Sequence, residues 1–143
     1  MIDQRMAPYG AFVLRLSLGT MFLAHAALKY FVFTPDGTVG FFESVGLPGA
    51  LAYATILAEF LGGIALLAGV YTRAVSLGLV PLLMGTIIFV HGANGWAFGN
   101  EGGGWEYPAF LIAASIAQAM IGPGALALKA SSNAPSKSRA ALA

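Results

Sequence analysis

Cysteine is absent from the 143 residues. The chain therefore forms no disulfide, offers no thiolate to a metal or an iron–sulfur cluster, and leaves any thiol chemistry to a partner. Charge is almost as scarce: Lys and Arg number 7, Asp and Glu 6, and charged residues make up 9% of the chain against 58% hydrophobic. A soluble domain has about a quarter of its residues charged. Nucleic-acid binding needs a basic face, which a formal net charge of +1 does not build. Both classes are set aside, and no nucleic-acid partner is expected. What remains is an integral membrane protein whose first partner is the lipid bilayer.

Apolar runs extend over Tyr9–Phe33, Gly49–Val70, Ala74–Ala93 and Tyr107–Leu128. Each is near the ~20 residues that carry a helix across ~30 Å of hydrocarbon. The expected fold is an all-α, four-transmembrane-helix bundle over residues 1–129, followed by a polar, disordered cytoplasmic tail at 130–143. Ala24-His25-Ala26 imitates a signal-cleavage site, but Arg15 interrupts the apolar stretch and the stretch outruns a signal core, so the first helix is expected to be retained. Arg5, Arg73, Lys129, Lys137 and Arg139 flank one side of the arrangement, and Asp36, Glu43, Glu101 and Glu106 the other. The positive-inside rule then sets both termini in the cytoplasm, in a multi-pass protein of a bacterial inner membrane.

The short turn Tyr71-Thr72-Arg73 makes the second and third helices antiparallel neighbours. Small residues recur every four positions, as Ala50, Ala54, Ala58 and Gly62 and as Ala109, Ala113 and Ala117. Such ladders let helix backbones approach, within the bundle first and in a homo-oligomer as the lesser reading. Pro81 is expected to kink the third helix. Arg15-Leu16-Ser17-Leu18-Gly19 leading to His25 is echoed by Arg73-Ala74-Val75-Ser76-Leu77-Gly78 leading to His91, and Glu59 and Gln118 fall at similar depth by counting. Two hairpins of one orientation would be a parallel duplication about the membrane normal, although composition alone also produces such likeness.

Five ionisable residues, Arg15, His25, Lys29, Glu59 and His91, stand inside the apolar runs. Each costs about 2.5–3.5 kcal/mol at membrane depth, so each needs a reason. Arg15, Gly19, Phe22, His25 or Ala26, and Lys29 share one face of the first helix, which should point into the bundle. Glu59, near the middle of the second helix, needs a cation or a proton. Arg15 and Lys29 are its expected partners and His25 its hydrogen-bond neighbour. Taken singly, each residue has a structural explanation of equal weight: a buried ion pair, or a lysine reaching for the interface. Together they are better explained by a polar cavity.

A histidine and a carboxylate near the outer surface suit a quinone head group, whose carbonyls need hydrogen bonds and a route for protons. Two histidines on different helices could instead clamp a haem iron. His25 lies about two turns below the surface and His91 at a helix end, an offset that disfavours haem. No metal site is expected. The segment VHGANGWAFGNEGGGWEYP, Val90 to Pro108, ends the third helix on His91, offers Trp96 and Trp105 as interfacial anchors, and starts the fourth helix with Pro108 in its first turn and Glu106 near its positive end. This loop is expected to roof a pocket opening toward the outer leaflet. The candidate pocket residues are Arg15, His25, Lys29, Glu59, His91, Asn94 and Glu106, and none is assigned a catalytic role.

These residues resemble the DoxX family of small four-helix membrane proteins, related to the DoxD-type subunits of thiosulfate:quinone oxidoreductase. The likeness rests on Arg15-Leu16, Leu18-Gly19, Phe22-Leu23, His25 and Lys29, then on Gly46-Leu47-Pro48, Glu59-Phe60-Leu61, Gly63, Gly69 and Thr72-Arg73. It continues through His91-Gly92, Asn94-Gly95-Trp96, Gly103-Gly104-Trp105-Glu106-Tyr107 and Gly122-Pro123-Gly124, and so covers nearly all of the chain up to Lys129. The resemblance implies the fold, while the family's roles range from quinone-linked oxidation of reduced sulfur to oxidative-stress complexes and detoxification of quinones or aromatics. The leading expectation is a quinone-interacting membrane subunit of an oxidoreductase system, with electrons supplied by a redox partner protein. Two rivals stand beside it. A non-catalytic scaffold would keep a stoichiometric partner after its buried polar residues were mutated. A small proton-coupled transporter would draw on Glu59 and the repeat, but four helices per chain are few for that task.

Overall fold

The computed structural model describes residues 3–129, and every regular element among them is a helix. α1 (Ala7–Ala27) starts with a proline in its first turn, where the missing N–H goes unneeded, and runs on into a five-residue π-turn, Leu28–Val32. α2 (Pro35–Ser44) is a short helix capped by Thr34, whose side chain accepts from Gly37 N. α3 (Ala50–Ala68) ends on Gly69 at φ 70°, a left-handed cap. α4 (Thr72–Thr86) passes into a second five-residue π-turn, Ile87–His91, and a 3₁₀ turn, Gly92–Asn94. α5 (Glu106–Ile121) closes the bundle.

Three helical stretches, Ala7–Val32, Ala50–Ala68 and Thr72–Asn94, are long and apolar enough to cross a membrane. α5 is apolar but has only 16 residues. The apolar run that suggests a helix to Leu128 is cut at Ile121, because Gly122 turns to φ 96°, Pro123 follows, and Gly124 stands at φ 71°. Residues 122–129 instead form a strap across the end of the bundle where α1 begins. Ala125 N donates to Pro8 O at 2.8 Å, and Leu128 N to Ala68 O at 3.0 Å. The segment TPDGTVGFFESVGLP, which joins the first two apolar runs, contains α2. The tail at 130–143, with Lys137 and Arg139, lies outside the described residues.

α1 pairs antiparallel with α3, and α4 with α5. The first pair touches backbone to backbone at Gly19 and Gly63: a Cβ on Gly63 would stand 2.9 Å from Gly19 O and 2.7 Å from Leu23 Cγ. Of the alanine ladders, Gly62 packs on Leu79, Ala54 and Ala58 wall a cavity, and Ala109 and Ala113 line a groove. Leu18, Phe22, Leu66, Leu79, Leu83, Leu111 and Ala114 fill the core at mid-height. Large apolar side chains such as Phe31, Phe110 and Met120 are exposed around the outside, where a bilayer would cover them.

The two hairpins are built alike. Arg15 Nη1 donates to Leu66 O and Leu67 O, each at 2.9 Å, and Arg73 Nη1 donates to Ala119 O at 2.7 Å and Met120 O at 2.9 Å. In both, a cation near the start of the first helix caps the last carbonyls of the second, where the helix dipole is negative. Both first helices also end in a π-turn. Gln118 is not Glu59's counterpart in depth: it lies by the strap, and its Nε2 donates to Gly122 O at 2.6 Å.

Candidate functional site: a polar cavity at the loop end

The bundle has a termini end, closed by the strap, and a loop end, formed by the π-turns, α2 and the Val90–Pro108 loop. At the loop end Lys29 Nζ stands 2.8 Å from both carboxylate oxygens of Glu59. Glu59 is 3% exposed, so Lys29 replaces water for its carboxylate, while the lysine itself is only partly buried. The π-turn that carries Lys29 is tied to α2, since Thr38 Oγ1 reaches Lys29 O at 3.1 Å and Thr34 O at 2.9 Å.

Arg15 does not take part. The stripe on α1 is real, but Arg15 and Lys29 stand roughly 21 Å apart along it by helical rise. Antiparallel pairing sets Lys29 level with Glu59 and Arg15 level with the last turn of α3. The expectation that Arg15 helps to balance Glu59 is therefore corrected. Its guanidinium is committed to Leu66 O, Leu67 O and, through Nη2 at 3.0 Å, Ala125 O of the strap.

His25 Nδ1 lies 2.9 Å from Met21 O, and His91 Nδ1 lies 2.9 Å from Gly103 O and 3.2 Å from Gly102 O. A carbonyl only accepts, so Nδ1 carries the hydrogen in both rings, and the neutral imidazole keeps a bare lone pair on Nε2. Neither Nε2 has a partner among the described residues. His25's hydrogen bond thus goes to its own helix and not to Glu59.

His25, Lys29, Glu59 and His91 line one cavity of about 740 Å³, walled otherwise by apolar side chains including Phe22, Leu83 and Leu111 and covered by Phe41 and Phe42 of α2. A more open groove of about 930 Å³ adjoins it, lined by Trp96, Glu106 and Phe110 among others, and the two share His25, Phe98 and Tyr107. Tyr107 stacks on His25, with ring centroids 6.0 Å apart and planes 23° from parallel.

The roof is held by its own polar bonds. Asn94 Nδ2 donates to Gly102 O and Gly103 O, both at 3.1 Å, so it closes the loop on itself and lines neither hollow. Glu106 Oε1 accepts from Phe98 N at 2.7 Å while its residue faces the groove. Trp96 and Trp105 pack edge to face at 4.5 Å. The structure thus gathers four of the seven sequence candidates, places Glu106 next door and Asn94 behind the roof, and sends Arg15 to the far end. No group of three or more His, Asp or Glu side chains among the described residues is arranged to hold a metal ion.

Sequence reasoning passed over Tyr107, which belongs to both hollows, and the aromatic cover from α2. The signal for the cover was the apolar Gly40-Phe41-Phe42 and Val45-Gly46-Leu47 in the segment that joins the first two apolar runs. For Tyr107 it was an aromatic hydroxyl one residue after Glu106 at the mouth of a helix.

The family model DoxX matches residues 10–92. A protein of Bacillus subtilis (strain 168) whose name reads "Putative oxidoreductase CatD" is 34% identical over 119 residues, covering 83% of this chain and 84% of its own. No solved structure matches. The chain belongs to the DoxX family.

Proposed function

We propose that this DoxX-family protein is a quinone-interacting subunit of a membrane oxidoreductase system. The observation that carries the reading is the joint lining of one cavity: a Lys29–Glu59 ion pair and two imidazoles with open Nε2 atoms, set against apolar walls. A planar ring with a carbonyl at each end suits such a chamber, with apolar surface for the ring and polar atoms for its oxygens. The family and the relative's name support an oxidoreductase setting.

A bound quinone would supply two-electron, two-proton chemistry, and a redox partner protein the electrons. The chain's own residues would bind and orient. Lys29 would set its positive charge beside a quinone oxygen, where negative charge develops, Glu59 would keep Lys29 in place, and the Nε2 atoms of His25 and His91 would accept or release protons. His25 and Tyr107 line both hollows, so in this reading the groove would be the entrance from the lipid and these two rings the partition that a quinone passes. In the same reading α5 is a short fourth crossing, both termini are cytoplasmic, and the loop end lies at the outer surface of a bacterial inner membrane.

Gentle detergent purification, followed by mass spectrometry of extracted quinones and an optical spectrum, tests this. Wild-type protein is expected to carry or take up quinone, and Glu59→Gln and His25→Ala to lose most of it. Equal binding by all three, or no binding by any, would sink the proposal. A stoichiometric protein partner retained equally by the variants, with no quinone, is the result a scaffold gives.

A further inference from the structure

The polar layer at the termini end belongs to a different part of the molecule. Five buried side chains there hold a nitrogen or oxygen with no hydrogen-bond partner among the described residues: Arg15 Nε, Thr72 Oγ1, Ser76 Oγ, Ser115 Oγ and Gln118 Oε1. Ser76, Ser115 and Gln118 are 0% exposed, Arg15 1% and Thr72 3%.

They occupy two adjacent turns toward the termini end of the bundle. The Arg73 bonds to Ala119 O and Met120 O set the register of α4 against α5. That register brings Thr72 to the last turn of α5, where Gln118 sits. One turn further in, Ser76 meets the level of Ser115. Arg15 comes in from α1 and is tied there to Ala125 O of the strap.

A hydroxyl inside a helix ordinarily satisfies itself on the carbonyl four residues back. Elsewhere in this chain that happens: Ser17 Oγ donates to Val13 O at 2.9 Å, and Thr86 Oγ1 to Leu82 O at 3.1 Å. Ser76 and Ser115 leave that option unused, and Thr72, the first residue of α4, has no preceding helical turn to offer it. Stable folds leave few buried polar atoms unpaired, and clusters of them are where buried water sits.

We propose that the termini half of the bundle contains a hydrated polar site, in which water molecules bridge Thr72, Ser76, Ser115, Gln118 and Arg15 Nε. The chemistry of the set selects water over an anion. Hydroxyls and Arg15 Nε donate, but Gln118 Oε1 only accepts and would repel a negative charge, whereas water answers both. Leu18 and Leu79 of the core lie between this site and the loop-end cavity, whose own wall includes Leu83 and Leu111. The protein then has a polar chamber toward each end and one apolar layer between them, and any proton exchanged between the two ends crosses that layer.

The lack of native cysteine makes the test direct. Ser76→Cys and Ser115→Cys are compared with Leu18→Cys and Leu79→Cys of the apolar layer, in native membranes, using a small membrane-permeant methanethiosulfonate that attacks hydrated thiolate. The serine positions are expected to react ~10-fold or more faster than the leucine positions, since only a hydrated thiol ionises readily. Serine positions as slow as the leucines overturn the proposal. The melting temperatures of Ser76→Ala and Ser115→Ala give a second measurement that does not depend on the thiols. Losing a water-bridged hydroxyl lowers the melting temperature, while losing a dry, unpaired one raises it, and a rise in both variants overturns the proposal as well.

Discussion

At the scale of the residue, the molecule turns on which cation meets Glu59. Lys29 does, and removing it strands a carboxylate that is 3% exposed. Lys29→Met is expected to destabilise the fold by about 3 kcal/mol, while the double variant Lys29→Met with Glu59→Leu recovers most of the loss. Thermal melts of the two single variants and the double variant in one detergent close that cycle, and additive losses would show that the pair is not coupled. Gly63→Ala forces a methyl against Gly19 O and Leu23 and should cost about 1–3 kcal/mol. Gly78→Ala, with no atom within 4 Å of the new methyl, should be neutral or slightly stabilising in the same melts. The need for a partner to Glu59 was legible in the sequence, because a carboxylate in an apolar run demands one. The choice between Arg15 and Lys29 was not, because it depends on how far α1 slides along α3, which no single helix encodes.

At the scale of the element, the two π-turns aim the site. Leu28–Val32 carries Lys29 and Ile87–His91 ends on His91, so each widened turn delivers a polar side chain to the cavity. Deleting Ile88, which is exposed, should return the second turn to α-helix and swing His91 about 100° around its axis. Quinone retention is then expected to fall as far as in His91→Ala, while Ile88→Ala retains wild-type occupancy. Equal retention in the deletion variant would mean that the π-turn does not position His91. Such turns leave little trace in a hydrophobic pattern, since one extra residue merely blurs the period. α2 escaped notice for a related reason: Pro35, Gly37 and Gly40 are turn residues by composition, yet Thr34 caps them into a helix and the packing of Phe42 holds them there. The end of α5 was missed although its signal is local: Gly122-Pro123-Gly124 breaks the helix at Ile121, while the apolar composition carried the reading on to Leu128.

At the scale of the whole molecule, the fold is two similar hairpins whose chemistry differs. Both have an arginine that caps the partner helix, whereas among the described residues the ion pair is confined to the first and the second contributes His91 and Tyr107. The arginines differ in weight. Arg15 is buried and reaches three carbonyls on two segments, while Arg73 reaches two near the surface. Arg15→Met is expected to cost about 3 kcal/mol or more and Arg73→Met about half as much, since hydrogen bonds to charged groups contribute about 1.5–3 kcal/mol each when desolvated. Melting temperatures of the two variants decide it, and equal losses would place the strap's contribution near zero.

The bond from Arg15 to Ala125 joins positions 110 residues apart. During synthesis, α1 emerges before the last turn of α3 and the strap exist. The Arg15 guanidinium has no carbonyl of α3 to bind until residue 67 has been made, and its Nη2 waits for Ala125, almost the last of the described residues. A chain released between those two points would hold the same cation at the same depth with one donor unanswered, so the final stretch of synthesis is the step that completes the shell of a charge placed near the beginning.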